Sequence, residues 1–270
     1  MSALLKIRKL FQPIQPRATE GGDCVQYTEV LPDASLSGYI CCYWQLDSAR
    51  SLPEGFQYTV VTDGCIDIFF DLDVLEEKFV MGFSSEHTSF QLKENFTYAG
   101  VRFFPGAFPL LFNVKASELT NQCEHLGDVI PKMYTTLNER LDERSSIAAV
   151  KPVLDSYFRT MLQGKQAYDM DSRLATALHA ILCSNGAFNI QQLDTGISAR
   201  HLRRLFDFYI GVAPKEFHKI MRFQKLLRRS PTRAMLRDEK FYYDLGYYDQ
   251  SHFVKDFKSL YGVVPRKAFI

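Results

Sequence analysis

Two stretches near the C-terminus combine basic, imidazole and hydroxyl side chains at a helical spacing suited to recognition rather than to bond making. The first reads Ser198-Ala-Arg-His-Leu-Arg-Arg-Leu-Phe206 and the second Asp249-Gln-Ser-His-Phe-Val-Lys-Asp-Phe257. On the first, Leu202, Leu205, Phe206 and Tyr209 share one arc, while Arg200, Arg203, Arg204 and Asp207 share the opposite one. On the second, Phe253, Phe257, Leu260 and Tyr261 form the apolar arc, and Ser251, His252, Lys255 and Lys258 the polar one. Arginine near a helix N-terminus can pair with O6 and N7 of guanine in a major groove; Ser, His and Lys can bond base edges or phosphates. Ser198 and Asp249 are good N-caps, and each helix is followed by a Gly-x-x-Pro stop, Gly211-Val-Ala-Pro214 and Gly262-Val-Val-Pro265. A single basic helix is usually only a solvated face. A turn before it and a second copy after it point instead to a device that reads DNA twice.

The elements that must hold these two helices are readable on either side of them. Asp171-Ser172 caps a helix to about residue 183, with Leu174, Leu178, Ile181 and Leu182 as its apolar stripe. A short helix over 190–194 and a turn at 195–197 lead into the first basic helix. Pro214 opens a longer helix to about residue 229. Its apolar residues are Phe217, Ile220, Met221, Phe223, Leu226 and Leu227, and its basic ones Arg222, Lys225, Arg228 and Arg229. At 1.5 Å per residue it spans about 22 Å, enough to separate two reading heads. Ser230-Pro231 ends it, 241–245 forms a short helix, Gly246 the turn and Asp249 the cap of the last helix.

The run Ile220-Met-Arg-Phe-Gln224, the paired Gly-x-x-Pro stops and above all Gly246-Tyr-Tyr-Asp-Gln-Ser-His-Phe253 resemble the AraC/XylS family of bacterial transcription regulators over about residues 171–270. The N-terminal half resembles, more weakly, the sensor-like module of one branch of that family, at Val61-Thr-Asp-Gly64, Met81-Gly82 and Gly100-Val-Arg-Phe-Phe-Pro-Gly-Ala107. The resemblance implies a double helix-turn-helix unit placing two helices in successive major grooves. Carried over position by position, the family's base readers fall on Arg200, Arg203 and Arg204, then on Ser251, His252 and Lys255, with Gln250 and Lys258 beside them. Two departures stand out. The first unit is about two residues short before its turn and holds Asp194 where a small residue is usual; the second holds Tyr242 at the matching place. The shortened first unit and its Asp194 place more weight on the second helix.

Composition agrees with a basic reader joined to a separate module. The chain of 270 residues has a net charge of +1, but residues 170–270 hold 17 Lys and Arg against 9 Asp and Glu, leaving 15 against 22 in residues 1–169. Such an imbalance fits a nucleic-acid binder carrying a regulatory part. The six cysteines show no metal-ligand spacing and read as free thiols in a reducing compartment. Charges interrupt the apolar start of the chain, and no run approaches the roughly 18 apolar residues of a membrane span. The expectation is a cytoplasmic protein that does not engage the membrane.

The N-terminal half reads as β-rich. Residues 1–20, with Pro13 and Pro16, are expected to be a loosely held arm. Candidate strands lie at 25–30, 39–46, 57–61, 66–72, 78–82, 89–92 and 98–104, and Asp63-Gly64 is the clearest hairpin signal. Helices at 138–141 and 147–162 follow, to cover a sheet edge or make a dimer contact. Asp67, Asp71 and Asp73 alternate with Ile66, Ile68 and Phe70, which reads as a polar outer face rather than a metal site. Phe69, Phe70, Phe83, Phe103 and Phe104 are equally suited to a core or a ligand cage.

The fold expected is α+β in two domains. Residues 1–163 form a barrel- or sandwich-like, cupin-like β module with trailing helices, 164–170 the linker, and 171–270 an all-α domain of two helix-turn-helix units joined by a long helix. The function expected is a sequence-specific DNA-binding transcription regulator with no catalytic residues, cofactor or metal. Its partners are double-stranded DNA and RNA polymerase, with a small-molecule effector and a homodimer left open. The alternative is an interaction module whose first reading head has degenerated and which acts through a partner regulator.

Overall fold

The alternating pattern between residues 25 and 103 becomes two antiparallel sheets in the computed structural model, which describes residues 3–16, 24–50, 52, 55–142, 146–163, 170–184, 193, 195–232 and 234–269. The strands are β1 (Val25–Val30), β2 (Ile40–Ser48), β3 (Gln57–Val60), β4 (Ile66–Asp71), β5 (Lys78–Met81), β6 (Thr88–Gln91), β7 (Thr97–Phe103) and β8 (Cys123–His125). Six of them form one sheet in the order β1-β2-β7-β4-β5-β8, and β3 pairs with β6 in a second. The seven strands expected from the sequence lie within two residues of these bounds. The eighth, three residues pairing with the edge of β5, was too short to carry a pattern of its own.

Three expectations are corrected. The Asp63-Gly64 turn does not close a hairpin: β3 pairs with β6, and β4 pairs with β5 and β7, so the turn carries the chain from one sheet to the other. Gly64 has φ 85°, and a Cβ there would stand 2.7 Å from Met221 Cε, so the turn is pressed against a later helix. Asp67 and Asp71 do not face solvent. Ile66, Ile68 and Phe70 point into the main core, and the opposite face of β4 looks into the space between the sheets. Asp71 is buried and paired with Lys93 at 2.9 Å. Residues 3–16, the described part of the expected arm, are not loosely held either. Ile7 and Phe11 are buried, and Phe11 meets Phe104 edge to face at 6.0 Å. The apolar spacing of residues 7, 10 and 11 builds a helical stripe before either proline intervenes.

The helices are α1 (Ala3–Leu10), α2 (Ala107–Phe112), α3 (Ala116–Leu119), α4 (Leu126–Val129), α5 (Pro131–Arg140), α6 (Ile147–Gln163), α7 (Ser172–Cys183), α8 (Ala199–Tyr209), α9 (Pro214–Arg228), α10 (Glu239–Asp244), α11 (Gln250–Tyr261) and α12 (Pro265–Ala268). Helix α6 covers the outer face of the large sheet through Val150, Leu154 and Phe158. Its Asp155 is buried, but it accepts hydrogen bonds from the Tyr43 hydroxyl at 2.9 Å and the Asp33 amide at 3.0 Å, and pairs with Lys151. A buried carboxylate persists only with such partners. The short helix expected over 190–194 falls largely outside the described residues, as does the 164–169 part of the expected linker; Met170, its last residue, is buried.

The β-rich part and the helical part share one continuous core. At its centre Gln224 of α9 is 2% exposed. Its side-chain nitrogen donates to the Thr62 carbonyl at 2.7 Å and the Ile14 carbonyl at 3.3 Å, and its oxygen accepts from the Ile14 amide at 2.8 Å. One amide therefore ties three segments far apart in sequence. Gln224→Ala leaves those backbone groups unpaired and is expected to cost about 1–3 kcal/mol. In a chain of this size that lowers Tm by roughly 2–4 °C for each kcal/mol. An unchanged Tm in calorimetry would show that water replaces the amide at no cost.

Candidate nucleic-acid interface and cavity

The two basic helices form as their caps dictate. The Ser198 side chain accepts from the His201 amide at 3.2 Å, and Asp249 accepts from the His252 amide at 2.7 Å. Leu202 and Phe206 bury the inner face of α8, and Arg200, Arg203 and Arg204 are exposed and pair with no described carboxylate. Asp207, on the same arc, behaves differently. It pairs with Lys115, before α3, at 2.7 Å, and the hydrogen bond from that ammonium holds its carboxyl below the ordinary value. Thr120 donates to the Gly211 carbonyl at 2.9 Å. The β-rich part thus grips the C-terminal end of α8 and leaves its N-terminal arginines open.

Helix α11 buries Phe253, Phe257, Leu260 and Tyr261, and Phe257 packs on Phe223 of α9 with ring centroids 5.6 Å apart. Ser251, His252, Lys255 and Lys258 are exposed, as the wheel requires. His252 Nε2 lies 3.4 Å from Asp256. Gln250 is exposed but turns partly inward, donating to the Tyr242 hydroxyl at 3.2 Å. Tyr242, the large residue at a position where a small one was expected, is accommodated: its ring lies 4.8 Å from that of Phe253, and its hydroxyl donates to the Leu236 carbonyl. Asp194, the other departure, lies outside the described residues. Beside the turn, Tyr243 is 58% exposed and Tyr248 82%, aromatic surface that the sequence reading passed over.

Several basic residues of α9 are engaged by groups within the protein. The Arg222 guanidinium carbon sits 3.8 Å from the centre of the Tyr247 ring. The same group donates to the Gly246 carbonyl at 2.8 Å and to Asp256 at 3.1 Å. Lys225 donates to the Ser184 carbonyl, and Arg228 to the Gln12 carbonyl at 3.2 Å. Lys219 is paired with Glu216 at 3.6 Å. Arg222, Lys225 and Arg228 clamp neighbouring segments, whereas Lys219 pairs within α9; Lys215, Arg229 and the α11 lysines are among the exposed basic residues.

Sequence reasoning missed a second feature, a cavity of about 180 Å³ between the two sheets. Six aromatic rings line it: Tyr27, Trp44, Tyr58, Phe69, Phe90 and Tyr98. Trp44 reaches it because Gly100 on β7 has no side chain; a Cβ there would stand 2.5 Å from the indole ring. At one end Arg102 contacts Asp67 through two nitrogens, at 3.0 and 3.3 Å. It also lies 3.4 Å from Asp63 and donates to the Tyr27 hydroxyl at 3.3 Å. Trp44 Nε1 donates to Asp67 at 3.0 Å. Burial raises the Asp67 carboxyl to about 6, against the opposing pull of Arg102. The available signal was an arginine inside the apolar run of β7, on the same face as Tyr98 and Gly100. Among the described residues no His, Cys, Asp and Glu cluster suits a metal ion, and no helix is long and apolar enough to cross a membrane.

Residues 194–269 match a family described as a helix-turn-helix domain, and residues 28–125 one described as a domain of unknown function (DUF6597). No match is found among curated proteins. Among solved structures, an apo variant of ToxT from Vibrio cholerae is similar over 84% of this chain and 96% of that one, at 12% identity and a TM-score of 0.42. ToxT of the same organism bound to an unsaturated fatty acid aligns over 91% of this chain and 94% of its own, at 12% identity and a TM-score of 0.38. At this distance no ligand or residue role transfers.

Arg222→Ala removes the ring contact, frees the Gly246 carbonyl and strands the mostly buried Asp256. The expected loss is about 3–5 kcal/mol, the range for breaking a buried ion pair from one side. Arg222→Lys should recover only part of it, because an ammonium cannot stack and fork at once. Chemical denaturation of the three proteins checks the order; equal midpoints for Arg222→Ala and the wild type would remove the clamp from the account.

Proposed function

Because residues 194–269 match a helix-turn-helix family and Gly246–Phe253 resembles the AraC type, we propose that the protein is a sequence-specific transcription regulator whose helices α8 and α11 read successive major grooves of double-stranded DNA. The observation that carries the reading is the separation of roles on these helices. Their apolar arcs are buried, while Arg200, Arg203, Arg204, Ser251, His252 and Lys255 are exposed at or near N-capped ends. Lys215 and Lys258 supply phosphate contacts in this reading and make binding fall steeply with salt. Residues 171–270 act as the DNA-binding domain and 1–163 as the regulatory one. No step of this function calls for catalysis, and RNA polymerase is the partner expected at a promoter.

The cavity between the sheets is the effector site in this reading, and the physical contacts between it and the reading helices support a regulatory link. Gln15 lines the cavity and bonds Asp63 at 2.8 Å and both polar groups of the Val61 backbone. The adjoining Ile14 and Thr62 are held by Gln224 of α9. On another side Thr88 lines the cavity, and its neighbour His87 bonds the Ser259 carbonyl of α11 through both its amide, at 3.1 Å, and its ring Nδ1, at 2.8 Å. An occupant that shifts either segment changes the free energy with which the helical domain is held, and so its affinity for DNA.

Footprinting the full chain on the region upstream of its own gene is expected to protect two segments about one helical turn apart. Arg203→Ala or Lys255→Ala should each reduce discrimination between target and random DNA by about 1–3 kcal/mol. Arg228→Ala should leave that ratio unchanged. Absence of any protected segment at low salt would favour a partner-binding module instead.

A further inference from the structure

The cavity carries chemistry that narrows its occupant, on the reading that it is the effector site. Its lining is aromatic on several sides: Trp44 and Phe69 stack at 6.4 Å, and Phe69 meets Tyr98 edge to face at 6.2 Å. Among the described lining residues Arg102 is the basic one, and its charge is already spent. Asp67 takes two of its nitrogens, Asp63 approaches to 3.4 Å, Glu29 to 3.8 Å, and the remaining nitrogen donates to Tyr27. Asp67 lines the cavity, and Asp63 and the half-exposed Glu29, outside its lining, crowd the same guanidinium, so the charges gathered at that end sum to a negative value. An acid entering it would add a further negative group and find no free cation among the described lining residues. A cation finds both the negative end and the ring faces, whose quadrupoles attract positive charge.

We propose that this cavity binds a small aromatic amine in its cationic form and discriminates against the corresponding carboxylic acid. The ring lies among the aromatic side chains, and the ammonium lies toward Asp67 and Gln15. The bound amine loses its water to these groups, which is the usual division of labour in a pocket with an apolar body and a few fixed polar atoms.

The chain contains a single tryptophan, and it lines the cavity, so indole emission reports occupancy without labelling. The full chain is titrated at neutral pH with phenethylamine, phenethyl alcohol and phenylacetic acid, which share a ring and differ in the charge of the end group. The amine is expected to saturate the Trp44 emission change at a concentration about tenfold or more below the acid, with the alcohol between them. Acid or alcohol binding as tightly as the amine overturns the ligand class and leaves the cavity as an effector site. Silence of all three overturns the proposal and leaves the effector reading to ligands of other chemistry. Asp67→Asn removes one negative charge and unties one arm of Arg102. It should weaken the amine and strengthen the acid, and an unchanged order in a folded variant overturns the electrostatic part. If that variant does not fold, the wild-type series decides alone.

Discussion

Helix α9 is covered on nearly every side, and this constraint organises the rest of the chain. Phe217, Ile220, Met221, Phe223, Gln224, Leu226 and Leu227 are all buried. One side of the helix receives the two helix-turn-helix units, and another the sheet-crossing turn at Gly64 and the N-terminal segment. A helix apolar on this many faces cannot stand in solvent as a simple spacer. Its polar residues must then be satisfied inside the protein, which is why Arg222, Lys225 and Gln224 serve as clamps. Orientation of α11 follows from the same constraint, because Arg222 holds both the Gly246 turn and Asp256 on that helix.

The β-rich part meets the helical part through polar contacts set within apolar packing. The Lys115–Asp207 pair is exposed enough for water and salt to weaken it, so it contributes alignment more than stability. Gln224 and the His87–Ser259 contacts are shielded to a greater degree, and leaving such groups unpaired costs more than making them gains. A joint built in this way is firm when every partner is present and sensitive to small displacements of one. Under the proposed function, such a joint would let an occupant of the cavity change how the helical domain is held.

Much of the exposed polar surface of α8 and α11 was legible because amphipathic helices advertise themselves. The capping residues Ser198 and Asp249, the arcs of Leu202 and Phe253, and the Gly-x-x-Pro stops each have a local physical cause, and each was found where expected. The cavity was not legible. Trp44, Tyr58, Phe69 and Tyr98 lie on four different strands, and only the pairing of β2 with β7 and β7 with β4, with the second sheet laid across them, brings them together. The same limit hid the role of Arg222, which reads as one more basic residue until Tyr247 and Asp256 are placed beside it.

What the sequence determined by itself is the local record: strand and helix periods, their caps and stops, and the residues that share a face. Only the tertiary structure decided what covers each face. A period of two states that Asp67 and Ile68 point in opposite directions, and it is silent on which direction is water. Here both are covered, one by helices and the other by a second sheet, because β3 pairs with β6 rather than with its neighbour in sequence. A turn signal such as Asp63-Gly64 likewise fixes the backbone angle and leaves the strand partner open, since pairing is settled by contacts distant along the chain.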